Sequence, residues 1–114
     1  MLGTLYVVAT PIGNLEDISQ RALRIFKEVD YILCEDTRTT RKLLDHYDIK
    51  TSTISYHQHS GSGKIDQLVR YLAEGKNLAL VSDAGTPGIS DPGAALIAMV
   101  RQEFKDEAKI AGLP

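Results

Sequence analysis

The chain has 114 residues, 43% of them apolar, and a formal net charge of −2. That is the length of one ordinary domain with enough apolar mass for a core, and the near-balanced charge excludes a global field that would draw the protein onto nucleic acid or a membrane. A single cysteine, Cys34, excludes an internal disulfide, and no apolar run is long enough to span a bilayer.

The amino terminus lacks the basic segment and apolar core of a signal peptide, so a cytoplasmic location is expected. Residues 5–9 (LYVVA) form a short apolar, β-branched run and predict a strand. Ile18, Ala22, Ile25, Phe26 and Val29 follow at helical spacing, with Asp17 or Ser19 as the N-cap. Residues 31–34 predict a second strand; Cys34 ends it and reads as a buried, reduced thiol. A helix over 39–47 turns Leu43, Leu44 and Tyr47 inward. A weaker third strand covers 52–56. Ile65, Leu68, Val69 and Leu72 predict a third helix closed by Gly75. A strand at 77–81 leads into the loop 82–93 (SDAGTPGISDPG), where Asp91 and Pro92 supply an N-cap and a first-turn proline for a helix over 94–100. Residues 103–110 have no assigned element.

Strands that alternate with helices predict an α/β fold: a three-layer, open, mostly parallel sheet with helices on both faces. Right-handed crossovers then bring every strand-to-helix loop to one edge of the sheet. Four loops meet there, at 10–14, 35–42, 57–64 and 82–93, and they concentrate the polar and glycine-rich residues. The last is too long for a mere connector and occupies the place where open α/β sheets bind ligands.

Each loop has a plainer reading. Residues 10–14 lack G-x-G-x-x-G spacing, which disfavours a dinucleotide fingerprint. Glu35 and Asp36 serve either as helix-terminal acceptors or, with Arg38, as a polar ligand site. His57 and His59 lack the further ligands of a zinc pattern, so no metal is expected. Residues 61–64 fail the phosphate-loop pattern, because Gln58 stands where its first glycine belongs and Ile65 where its Ser or Thr belongs, and they read as a surface loop. Arg38, Arg41 and Lys42 form a small basic patch, either a solvated helix face or a local phosphate contact.

Three motifs in order, LYVVATPIGNL at 5–15, CEDTRTTR at 34–41 and the loop at 82–93, resemble the rRNA small subunit methyltransferase I family of the tetrapyrrole methylase superfamily. The resemblance runs from Gly3 to Arg101. It implies transfer of a methyl group from S-adenosylmethionine to the ribose 2′-oxygen of a cytidine in 16S rRNA of the small ribosomal subunit, by a homodimer of two-domain subunits with the cofactor in the cleft between domains. This chain corresponds to the first domain alone, so residues 1–114 are expected to be a single N-terminal domain, inactive in isolation. Carried onto this sequence, the resemblance places Pro11 and Gly13 in a turn facing the cofactor. It puts Asp83, Gly85, Thr86, Ile89 and Ser90 in the main cofactor-binding loop. Glu35, Asp36 and Arg38 line the substrate side, with Glu35 or Asp36 as the base. The third loop departs from the family: residues 60–63 are Ser-Gly-Ser-Gly where relatives carry acidic and amide residues. The competing readings are methylation of a tetrapyrrole within the same superfamily and a non-catalytic ligand- or RNA-binding domain.

Overall fold

A computed structural model describes residues 1–10, 17–56, 62–83 and 91–113. In chain order the elements are β1 (Leu5–Thr10), α1 (Gln20–Glu28), β2 (Tyr31–Cys34), α2 (Thr37–His46), β3 (Ser52–Ser55), α3 (Ser62–Ala73), β4 (Leu78–Asp83), α4 (Asp91–Phe104) and β5 (Ile110–Leu113), the last preceded by a 3-10 turn at Lys105–Glu107. The strands form one sheet in the order β3-β2-β4-β1-β5, and every pairing is parallel.

The helices divide between the two faces, as the alternating pattern predicts. On one face, Phe26, Ala22 and Ile25 of α1 and Leu43 and Leu44 of α2 pack on Val8, Ile32 and Ala79. On the other, Leu68 and Leu72 of α3 and Leu96, Ile97 and Val100 of α4 pack on Leu5, Leu33, Leu78 and Leu80. Phe26, Leu5, Ile32, Leu33, Leu44, Leu68 and Leu78 are fully buried, each contributing roughly 1.5–3 kcal/mol of transfer free energy. The chain moves toward the β3 edge through α1 and α2, then returns toward the β5 edge through α3 and α4. Under the right-handed crossover rule that reversal requires the helices to change face.

Several boundaries differ from the sequence expectation, each for a local reason. Of the two candidate caps for α1, Ser19 is the one used: its Oγ accepts from the backbone N–H of Ala22 at 3.1 Å. Helix α2 begins two residues early, at Thr37, because Asp36 caps it. Helix α3 begins at Ser62, so Ser62, Gly63 and Lys64 lie in its first turn and not in a surface loop. Strand β4 continues to Asp83, because Ser82 and Asp83 keep pairing with Ala9 and Thr10 of β1. Helix α4 begins at Asp91, a terminus where Pro92 costs no helical hydrogen bond, and it runs on to Phe104, which packs against the α3–α4 core. Both ends of the expected loop at 82–93 thus belong to regular elements. The fifth strand was not foreseen. It adds to β1, with Leu5 opposite Ile110 and Val8 opposite Leu113.

The amino edge of the sheet is tied together by backbone and amide groups. Asn77, expected as the first residue of a strand, is instead a junction. Its Oδ1 accepts from the N–H of Thr4 at 2.8 Å, and its own N–H donates to Oδ2 of Asp30 at 2.8 Å. Gly75 adopts φ +92°, with its N–H donating to the carbonyl of Leu72 and that of Lys76 to the carbonyl of Tyr71, the paired bonds of a left-handed helix terminus. Beside it, Gly3 passes so close that a Cβ there would lie 1.8 Å from the carbonyl oxygen of Lys76.

Candidate functional site

The opposite, carboxyl edge has the geometry of a ligand crevice. Strand β4 lies between β2 and β1. The helices that follow β1 and β2 pack on one face, and the helix that follows β4 packs on the other. The chain is therefore on one face by α4, after β4, and on the other face by α1 and α2, after β1 and β2. Such divergence at the carboxyl ends of adjacent strands is where open α/β sheets leave room for a ligand. Thr10 and Asp83 are register partners, so the first and fourth loops start side by side. Thr10 is buried, and its hydroxyl donates to the carbonyl of Ser82 at 3.3 Å, which fastens the two strand ends together.

Glu35, Asp36 and Arg38 do gather at this edge, immediately after β2. Glu35 is exposed. Asp36 is the N-cap of α2: Oδ1 accepts from the N–H of Arg38 at 2.9 Å and Oδ2 from the hydroxyl of Thr39 at 3.2 Å. The Arg38 backbone N–H is the main reason that the Asp36 carboxyl sits below its ordinary pKa, with smaller contributions from Thr39 and the Arg38 guanidinium. The Arg38 side chain is 90% exposed and lies 3.7 Å from Asp36. Of the two readings left open for these carboxylates, capping is realised at Asp36, while Glu35 has no such duty in the geometry.

Cys34 is buried, as its apolar setting implies, with Sγ 4.0 Å from the carbonyl of Ile54. Burial raises its thiol pKa, with Asp36 acting in the same direction and a hydrogen bond with Thr40 and the Arg41 charge acting against it. A protonated, enclosed thiol is not a nucleophile. The basic patch is not uniform. Arg41 bonds Asp45 through Nε at 3.1 Å, the carbonyl of Thr51 through Nη1 at 3.1 Å and the carbonyl of Ile49 through Nη2. It braces the turn between α2 and β3.

Pro11, Gly13, Gly85, Thr86, Ile89 and Ser90 lie outside the described residues, as do His57 and His59. Asp83 is placed as the last residue of β4. Among the described residues no cluster of His, Cys, Asp and Glu is able to hold a metal ion, and no helix is long and apolar enough to cross a membrane. Thr10 and Thr40, the two buried polar side chains among the described residues, carry no role in the sequence reading. The available signal was their position, one ending a strand and the other one turn into a helix that starts at the edge.

The family described as Tetrapyrrole (Corrin/Porphyrin) Methylases matches residues 4–108. The chain is 55% identical over 101 residues to a protein of Halalkalibacterium halodurans named ribosomal RNA small subunit methyltransferase I, covering 89% of this chain and 35% of that one. A Streptococcus pyogenes protein of the same name is 56% identical over 112 residues, covering 98% of this chain and 38% of the relative. The chain thus spans little more than a third of the length of these curated relatives. Among solved structures, uroporphyrin-III-C-methyltransferase from Thermus thermophilus superposes with a TM-score of 0.72 at 18% identity, covering 100% of this chain and 48% of that one. A Thermus thermophilus uroporphyrin-III C-methyltransferase complexed with S-adenosyl homocysteine gives 0.68 at 16% identity, covering 98% and 44%. These two likenesses concern the fold.

Proposed function

We infer, for a chain that belongs to the tetrapyrrole (corrin/porphyrin) methylase family, that the carboxyl edge of its sheet forms one wall of an S-adenosylmethionine site in an rRNA methyltransferase. The acceptor is the ribose 2′-oxygen of a cytidine in 16S rRNA of the small ribosomal subunit. The observation that carries this reading is the 55–56% identity to proteins named for rRNA methylation, against 16–18% to the solved uroporphyrin enzymes. The complete protein places a second domain across the cleft and pairs two subunits in the cytoplasm.

S-adenosylmethionine, when bound, supplies an activated methyl group on a sulfonium. The chain's part is then placement of the acceptor oxygen in line with that methyl and removal of the hydroxyl proton. Pro11, Gly13, Asp83, Gly85, Thr86, Ile89 and Ser90 hold the cofactor, and Thr10 fixes the strand ends from which the first and last loops depart. Asp36 is a poor base, since its oxygens already accept two hydrogen bonds and its pKa is lowered. Its work is to fix the start of α2 and so aim Arg38. Glu35, exposed and adjacent, is the candidate base.

Two measurements test this. Calorimetry of S-adenosylmethionine against the chain reads the cofactor wall directly. Methylation by the full-length protein of small ribosomal subunits, compared with uroporphyrinogen, reads the substrate. Methyl transfer to the tetrapyrrole and none to rRNA would replace this reading with the other branch of the superfamily.

A further inference from the structure

We propose that the groove between α2 and the edge strand β3 holds the phosphodiester backbone of single-stranded RNA flanking the methylated nucleotide. The proposal rests on the reading of RNA as substrate. The groove has a volume of about 410 Å³ and is lined by Thr37, Arg38, Arg41, Lys42, Asp45 and Thr53. Among the described residues its lining carries three cations and one carboxylate in a chain whose overall charge is −2, so positive charge accumulates here against the trend of the molecule.

The charges divide into structural and available ones. Arg41 spends its guanidinium on Asp45 and on the carbonyls of Ile49 and Thr51. It neutralises the groove's carboxylate and holds the wall. Arg38 and Lys42, four positions apart, share one face of α2 and are both exposed. Asp36, 3.7 Å from Arg38, and Glu35 are exposed acidic groups just before α2; at that exposure the Asp36–Arg38 pair is weak and yields to a competing anion. Two exposed cations with the hydroxyls of Thr37 and Thr53 are the donor types that contact phosphate and sugar without reading bases.

Position links this groove to the rim. Helix α2 starts at the carboxyl edge, beside Glu35, and the lining residues run from Thr37 to Asp45, about 12 Å of helix rise. A target nucleotide at the edge thus leaves its neighbouring phosphates along α2. Among the described residues the lining has no large apolar side chain to anchor a protein partner.

The test is fluorescence anisotropy of a short, labelled, cytidine-rich single-stranded RNA with the 114-residue chain across a range of salt concentration. Lys42→Glu is compared with Arg101→Glu, the same charge change on an exposed position of α4, and circular dichroism confirms that both variants fold. The proposal expects several-fold weaker binding for Lys42→Glu than for Arg101→Glu, with a log–log salt slope shallower by about 0.7 for one lost contact to a single strand. Equal affinity and slope in the two variants would overturn the groove while leaving RNA as substrate. Absence of RNA binding by the unaltered chain would also overturn the groove, whereas RNA as substrate falls only if the full-length protein transfers no methyl to small ribosomal subunits. Displacement of the RNA by poly-glutamate as readily as by unlabelled RNA would assign the groove to acidic peptides and overturn it as well.

Discussion

The two ends of the sheet use polar groups in opposite ways. At the amino end, Asn77, Asp30, Gly3 and Gly75 engage the backbone of neighbouring segments, and their chemistry ends in hydrogen bonds that close the fold. At the carboxyl end, Glu35 and Arg38 are exposed, and the helices that follow β2 and β4 lie on opposite faces. The amino end closes the fold, and the carboxyl end is the one proposed to hold a ligand. Asp36 is the exception that clarifies the rule, because it lies at the ligand end and performs a structural task.

Substitutions break this contrast in a graded order. Gly3→Ala has the largest expected effect, since its Cβ would fall 1.8 Å from the Lys76 carbonyl oxygen. Urea unfolding is expected to register a loss of roughly 2–3 kcal/mol, within the range for overpacked sites. Glu35→Gln should do the reverse: unchanged unfolding, but methyl transfer by the full-length protein slowed by about a hundredfold, the low end for a lost general base. A wild-type rate would reassign the proton. Asn77→Ala removes the acceptor of the Thr4 N–H and is expected to cost about 1–2 kcal/mol in the same unfolding assay, with cofactor binding retained.

The smallest effect belongs to Asp36 and appears only in acid. Its folded pKa is below the ordinary value of 3.8, so the ionised form favours the folded state. That contribution is complete above the unfolded pKa and disappears as the pH falls through the folded one. Asp36→Asn should therefore match the pH dependence of the unaltered protein at neutrality and show a flatter loss of stability below about pH 4. A parallel acid slope in the variant would mean that the cap contributes no proton linkage.

Much of the architecture was legible because it is written locally. The apolar runs of β1, β2 and β4 and the helical spacing of Ala22, Ile25, Phe26, Leu68 and Leu72 each announce their element within a few residues. Strand β5 was not legible. Its residues, Ile110 to Leu113, include Gly112, a poor strand former, and their pairing depends on β1, more than a hundred positions away. The start of α2 was misplaced because Asp36 satisfies both a capping pattern and a catalytic one, and only the distances to Arg38 and Thr39 separate them. The basic patch looked uniform because spacing cannot reveal that Arg41 reaches the backbone beyond its own helix. The clustering of polar loops at one edge followed from the alternation of strands and helices alone. The predicted cofactor residues in the first and fourth loops, Asp83 apart, lie outside the described residues.

The most direct measurement is transfer of labelled methyl from S-adenosylmethionine to isolated small ribosomal subunits by the full-length protein carrying this domain, with the product nucleoside identified by mass spectrometry. The predicted result is a 2′-O-methylated cytidine in 16S rRNA. Label on a base, on uroporphyrinogen or on neither substrate would contradict it.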